Sequence, residues 1–325
     1  VDWICITLER DRVPDKFFPA KIFPEALNAL RMTFKEASGK DLRFWKDKAV
    51  IFHLADREQQ AWIPYYKNII DASRIAWLKF VCGIYMTDMT YMDMERYNVP
   101  LSAYRMIYGV CKNMIWELPP NCNVFLGDVN KVPLTLYDER LERPINNKKD
   151  IDLLVVIDDR LYYNYVKTLE LARLLSSDFN VKCILIRDAN QKHAMYHNKL
   201  PFETIINGKD IGSQERFWWL LDRSKVMLDL SFRWTYGRVI YEALFNGALA
   251  VCPHTYGASY HLFPDSIVDT SNYKLEAVYD KCAKVIRDWD IKLVQSYRER
   301  AKEVASPAVF AQALNNTSEQ LIKER

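Results

Sequence analysis

The stretch Val226-Met227-Leu228-Asp229-Leu230-Ser231, then Gly237-Arg238-Val239-Ile240-Tyr241-Glu242-Ala243-Leu244-Phe245-Asn246-Gly247, then Ala248-Leu249-Ala250-Val251-Cys252 decides the fold. A short, continuously apolar run reads as a strand buried on both faces. The middle segment carries apolar residues at helical spacing and ends on a glycine, the usual C-terminal stop. A second buried run follows at once. Strand, helix and strand in so few residues make a parallel unit, because antiparallel neighbours would need only a hairpin.

The same rhythm extends on both sides. Upstream, 153–157 reads as a buried strand, 161–175 as a helix, 181–186 as a strand and 213–223 as a helix with Ser213 as N-cap. Downstream, 273–287 reads as a helix, with more helix from 291 to the end. Toward the N-terminus the pattern is coarser. Strands are expected at 3–8, 49–52 and 123–126, and helices at 24–34, 58–80 and 102–112. Residues 136–150, with Pro144 and the run Asn146-Asn147-Lys148-Lys149-Asp150, read as a linker. The expected class is α/β: two Rossmann-like doubly wound domains facing a central cleft. Their expected extents are 1–135 and 151–305, with a C-terminal helix at 306–325 packing back on the first domain.

Composition bounds the function. The 325 residues are half apolar and carry a net charge of +3, which suits a globular chain with a substantial core. Residues 1–150 hold 22 basic and 20 acidic side chains, and the rest 23 and 22. Neither half is polarised as a dedicated nucleic-acid surface would be. The seven cysteines are scattered with no CxxC pair, so neither a zinc site nor a disulfide framework is expected, and a reducing, cytoplasmic setting is. No stretch is long and apolar enough to span a bilayer, and no signal peptide is read. Only nine glycines occur, and neither dinucleotide-binding nor P-loop glycine signatures are present.

In a doubly wound sheet, ligands bind beyond the carboxyl ends of the strands. The loop Leu230 to Gly237 leads from such an end into a helix, whose first amides and positive dipole end suit an anion. Gly237 permits close backbone approach. Arg238 sits at the wrong end of the dipole for a cation, a placement that a bound anion explains. Glu242, one turn on, is placed to accept two ribose hydroxyls. The same spacing also fits an ordinary i, i+4 ion pair on a solvated face. The loop Cys252-Pro253-His254-Thr255-Tyr256-Gly257-Ala258-Ser259 offers polar contacts, or a simple Pro/Gly turn. Arg160 and Lys167, after the 153–157 strand, are cations placed to face a diphosphate or plain water. Asp150-Ile151-Asp152 and Asp288-Trp289-Asp290 imitate an Asp-x-Asp metal motif and read as solvated charges.

The stretch 151–290 resembles the nucleotide-sugar-binding domain of GT-B glycosyltransferases, especially the retaining group of sucrose and glycogen synthases. The residues carrying the likeness are Asp229-Leu230-Ser231, Trp234-Thr235-Tyr236-Gly237 and Glu242-Ala243-Leu244-Phe245-Asn246-Gly247, preceded by the 215–223 helix and Ser224-Lys225-Val226-Met227-Leu228. The resemblance implies a nucleoside-diphosphate sugar as donor substrate, no cofactor and no metal. Glu242 would hold the ribose, with further donor contacts from Ser231, Tyr236, Gly237, Arg238, Tyr256 and Gly257. Arg160 and Lys167 would stabilise the leaving diphosphate. His53, at the end of the 49–52 strand, matches a histidine that the family places near the transferred sugar; a satisfied, partly buried histidine fits as well. The family has a second glutamate eight positions before Glu242, where this chain has Trp234. That departure implies altered donor-sugar contacts, or loss of activity.

The acceptor is not legible: a glycan, a lipid, a small molecule and a DNA base all remain open. A viral-type enzyme glycosylating a modified base would use Tyr65, Tyr66, Trp77, Tyr85, Tyr91 and Tyr97 for stacking and Lys67, Arg74 and Lys79 for phosphates. A non-catalytic scaffold and a sugar-nucleotide epimerase of the same architecture are the other readings.

Overall fold

The structure is a computed structural model that describes residues 2–7, 24–53, 81–85, 106–108, 125–126, 137–157, 165–185, 200–206, 214–231, 237–254, 262–270 and 272–323. The chain is α/β and divides into two compact units, 1–137 with 304–325, and 138–303.

Unit 1 is built on β1 (Asp2–Thr7), β2 (Leu30–Thr33), α1 (Phe34–Ser38), β3 (Lys48–His53), β4 (Val81–Tyr85), β5 (Met106–Tyr108) and β6 (Phe125–Leu126). The strands form one parallel sheet in the order β2-β1-β3-β4-β5-β6. Helix α1 opens with a capping box: the Glu36 amide donates to Thr33 Oγ1 at 3.2 Å, and the Thr33 amide donates to Glu36 Oε2 at 2.7 Å.

Two expectations fail here. The helix expected over 24–34 is interrupted, because Asn28 takes a positive φ of 49° and Leu30–Thr33 pairs with β1 as a strand. Parallel pairing beside a buried strand overrides the helical spacing of the apolar residues. The helix expected over 102–112 contains β5, whose Met106, Ile107 and Tyr108 pair with β4. The helix expected over 58–80 lies outside the described residues.

Unit 2 holds β7 (Ile151–Ile157), α2 (Tyr165–Leu175), β8 (Val181–Leu185), β9 (Glu203–Ile206), α3 (Gln214–Arg223), β10 (Ser224–Asp229), α4 (Arg238–Phe245), β11 (Leu249–Pro253), β12 (Ile267–Val268), α5 (Leu275–Asp288) and most of α6 (Ile291–Ala305). Its parallel sheet runs β12-β11-β10-β7-β8-β9. Numbered within the unit, that is the 3-2-1-4-5-6 order of dinucleotide-binding folds, with its reversal between β7 and β10. Strand β7 is apolar and buried over most of its length, and β11 is buried throughout, as expected where helices cover both faces.

The helical stretch from 291 onward consists of two helices. Pro307, which has no amide hydrogen to donate, begins α7 (Pro307–Lys323) after a break at Ser306. Helix α7 belongs to unit 1, where the Trp3 indole N–H on β1 donates to Asn315 Oδ1 at 2.6 Å.

The amino edge of the unit 2 sheet is closed by ion pairs. Lys225 on β10 meets Asp152 on β7 at 2.7 Å, and Lys182 on β8 meets Glu203 on β9 at 2.6 Å. Arg223 Nε donates to Asp150 Oδ1 at 2.8 Å and holds that carboxyl below its usual range. Asp290 caps α6 through the Leu293 amide at 2.6 Å, and Asp288 pairs with Lys284. Both Asp-x-Asp imitations are therefore occupied by local charge pairing and capping. Among the described residues, no three His, Cys, Asp or Glu side chains converge as a metal cluster, and no helix is long and apolar enough to cross a membrane.

Cys5, Cys183, Cys252 and Cys282 are buried and form no disulfide. Burial pushes Cys5 and Cys282 up to about 12, against the smaller opposing pull of Arg31 and Lys281 respectively, and raises Cys183 well above 9.0. These values lie above those of the unfolded chain, so the stability they represent is complete below pH 9.0 and lost toward 12. Urea unfolding is expected to show stability falling above pH 9.0, by about 1.4 kcal/mol per pH unit for each thiol. A profile flat through alkaline pH would show that these thiols are accessible.

Candidate functional site

The reversal of strand order puts a crevice at the carboxyl ends of β7 and β10. Helix α4 starts beside it. Its N-cap, Gly237, has φ 77° and ψ 36°, a left-handed conformation that residues with a Cβ adopt at a cost. Glycine supplies no side-chain cap, and none is made. The first turn of α4 thus faces the crevice with main-chain donors and the positive end of its dipole.

Glu242 lies one turn into α4 and is 1 % exposed. Arg238 Nε stands 3.4 Å from Glu242 Oε1. The spacing had fitted a solvated surface pair equally well, and burial of the carboxylate decides against that reading. A buried charge needs a paired or hydrogen-bonded partner, and Arg238 supplies one at the end of the helix where a cation is disfavoured.

Three loops at the same edge are joined by hydrogen bonds. Asp229, at the end of β10, is buried and accepts the Ser231 amide at 2.9 Å, closing an Asx turn. Ser231 is fully buried, and its carbonyl accepts from Thr270 Oγ1 at 3.4 Å. The Thr270 amide donates to His254 Nδ1 at 3.1 Å. Because Nδ1 accepts that bond, its proton belongs on Nε2. The approach of Asp269 Oδ1 to Nδ1, 3.5 Å, is then not an ion pair.

The structure thus gathers Gly237, Arg238, Glu242 and Ser231 of the expected residues at one edge of unit 2. Lys167 is on the first turn of α2 with an exposed side chain. Its ammonium sits over the Tyr273 ring, 5.0 Å from the centroid. His53 is the last residue of β3, at the carboxyl end of the unit 1 sheet. Arg160, Tyr236, Tyr256, Gly257 and Trp234 lie outside the described residues. Asp229 and His254 stood in stretches quoted from the sequence but were given no role of their own, and Thr270 was not singled out. For His254 the signal was there, in its place immediately after a buried strand. Thr270 follows the two-residue strand β12, which has no pattern to read.

Helix α4 is also fixed from behind. Arg298, on α6, is 6 % exposed. Its Nε donates to the Leu244 carbonyl at 3.1 Å, and its Nη2 to those of Phe245 and Arg143 at 2.8 and 3.0 Å. Two of these acceptors are carbonyls of the last turn of α4, which also accept the Gly247 and Arg143 amides, at the helix end where a cation is favoured.

No protein-family model matches this sequence. Solved structures do match. AviGT4, a glycosyltransferase involved in avilamycin A biosynthesis, aligns over 100 % of this chain and 99 % of its own at 11 % identity, with a TM-score of 0.61. The UDP-forming α,α-trehalose-phosphate synthase of Burkholderia xenovorans aligns over 93 % of this chain and 79 % of its own at 10 % identity, with a TM-score of 0.58. The E. coli trehalose-6-phosphate protein bound with UDP-2-fluoro glucose aligns over 96 % and 83 % at 10 % identity, with a TM-score of 0.57.

Removing Arg238 leaves Glu242 buried without that partner. The variant Arg238→Ala is expected to lose about 1–3 kcal/mol of stability, read by urea unfolding. Adding Glu242→Gln should restore part of the loss, since the neutral amide carries no charge to compensate. Equal stability of Arg238→Ala and the parent would show that the pair carries no energy. The match over nearly the whole chain, with the parallel sheets described above, gives this chain the fold of the GT-B glycosyltransferases.

Proposed function

We propose that the chain is a glycosyltransferase that moves a sugar from a nucleoside-diphosphate sugar to an acceptor, with retention and without a metal ion. One observation carries the reading: a buried glutamate paired with an arginine in the first turn of a glycine-capped helix, at the strand-order reversal of a dinucleotide-type sheet. Glu242 receives the ribose hydroxyls. The first amides of α4 and Arg238 receive the diphosphate, with Tyr236, Ser231, Tyr256 and Gly257 around it. The fold shared with a protein bound with UDP-2-fluoro glucose supports a uridine donor.

Chemically, the bond from the anomeric carbon to the diphosphate oxygen breaks as the acceptor oxygen bonds to that carbon. The acceptor proton passes to the departing diphosphate. Charge develops on the leaving group, so cations and oriented amides there lower the barrier. Arg160 and Lys167 add to that stabilisation. Attack and departure on the same face need no protein nucleophile. In this reading unit 1 contributes the acceptor contacts, and His53 is its candidate site histidine. Trp234, in place of the family's first glutamate, favours a second reading, in which the site binds the donor without turning it over.

The test is thermal stability against a panel of nucleoside diphosphates and their sugars. A ligand at about 100 times its dissociation constant should add about 2.7 kcal/mol. The shift should vanish in Glu242→Ala, with circular dichroism showing that this variant is folded. Product formation with an acceptor panel then separates enzyme from binder. No shift with any diphosphate would overturn the donor-binding reading.

A further inference from the structure

Lys149 has no part in the chemistry above, yet it occupies a costly position. It precedes β7 in sequence and is half-buried. Its ammonium donates to the Asp222 carbonyl in the last turn of α3 at 2.6 Å and to the Asn246 carbonyl just past α4 at 3.3 Å. It also lies 5.5 Å from the centroid of the Trp289 ring. The Trp289 indole N–H donates to the Gly247 carbonyl at 3.3 Å. Gly247 has φ +75°, and a Cβ there would stand 3.4 Å from Lys149 Nζ and 3.1 Å from Ile145 Cγ2. The C-terminal ends of two helices therefore converge on one ammonium, and a side chain at Gly247 would crowd Ile145.

We propose that Lys149 is a positioning residue for the donor site: by tying together the C-terminal ends of α3 and α4, its ammonium sets where α4 lies, and with it Gly237, Arg238 and Glu242. The inference rests on the reading of the first turn of α4 as the donor site. Helix α4 has eight residues, so its two ends are only about 12 Å apart. A rigid helix of that length, buried from Ile240 to Phe245, transmits an axial shift at one end to the other.

The charge state of the tie is open to pH. Burial lowers the Lys149 value from 10.5 to about 8, Asp222 on α3 favours its protonated form, and Arg298 on α6 opposes it. Between those two values the unfolded chain holds more protons, so Lys149 contributes stability that grows as pH rises from about 8 and is complete above 10.5. Donor placement runs the other way, because the neutral amine has no charge to offer the two carbonyl ends. A lysine that served stability alone would not give opposite signs.

The test uses the full chain and UDP, with affinity measured by calorimetry from about pH 7 to about pH 9.5 and unfolding stability measured in parallel. Wild type is expected to lose about five-fold in affinity across that range. Lys149→Arg, charged throughout, should hold its affinity at alkaline pH. Lys149→Met should bind at the weak alkaline level at every pH. The stability of wild type relative to Lys149→Met should rise over the same range. Full affinity in Lys149→Met at neutral pH, or an alkaline loss that persists in that variant, overturns the proposal. If wild type binds no UDP, the donor reading fails separately, and amide exchange at residues 238–242 decides the tie. Protection lost above pH 8 in wild type and kept in Lys149→Arg supports it; protection unchanged with pH overturns it.

Discussion

Residues Ile240 to Phe245 are almost wholly buried, and a buried helix must find partners for the carbonyls its last turn leaves open. In α4 the amides of Arg143, Asn246, Gly247 and Ala248 supply part of that pairing, and two cations add to it. Arg298 reaches in from α6 to the Leu244 and Phe245 carbonyls, and Lys149 reaches the Asn246 carbonyl from the segment before β7. Neither contact is cheap, because each draws a charge out of water. Glu142 meets Arg298 Nη1 at 3.7 Å and Lys302 at 3.3 Å, which spreads that charge over a small network. With the rear of α4 satisfied in this way, its front turn is left to the edge where ligands bind in such sheets.

The two edges of the unit 2 sheet are accordingly different surfaces. At the amino edge, Asp150, Asp152, Lys182, Glu203, Arg223 and Lys225 neutralise one another in pairs between neighbouring strands or the segments leading into them. Exposed pairs of this kind contribute little energy each. The carboxyl edge instead buries Asp229, Ser231, Glu242 and Thr270, ties its loops by hydrogen bonds and begins α4 with a glycine. Buried polar groups arranged this way cost stability unless each is satisfied. Their concentration at one edge of an otherwise apolar sheet is what marks the site.

Much of unit 2 was legible because its strands are buried on both faces and its helices carry their own stops. Gly247 ended α4 on the page as it does in space, and β7, β8, β10 and β11 were read nearly in place. Other strands were not legible for physical reasons. Strand β9 carries exposed Glu203, and β12 is only two residues long, so each depends on a neighbour rather than on its own pattern. In unit 1 the apolar residues of 24–34 kept helical spacing while Leu30 to Thr33 took their structure from pairing with β1. At the site, Arg238 and Glu242 were found from their spacing along one helix. The clamp behind them was not, because Arg298 lies 54 residues beyond Leu244, and Lys149 sat in a stretch read as a linker.

The central claim is that a nucleoside diphosphate binds against the first turn of α4. A crystal structure of the chain grown with UDP tests it most directly. The account predicts the diphosphate within hydrogen-bond distance of the amides that follow Gly237, and the ribose hydroxyls on Glu242. A nucleotide bound elsewhere, with the Arg238–Glu242 pair unaltered and the edge beyond β10 open to solvent, would contradict it.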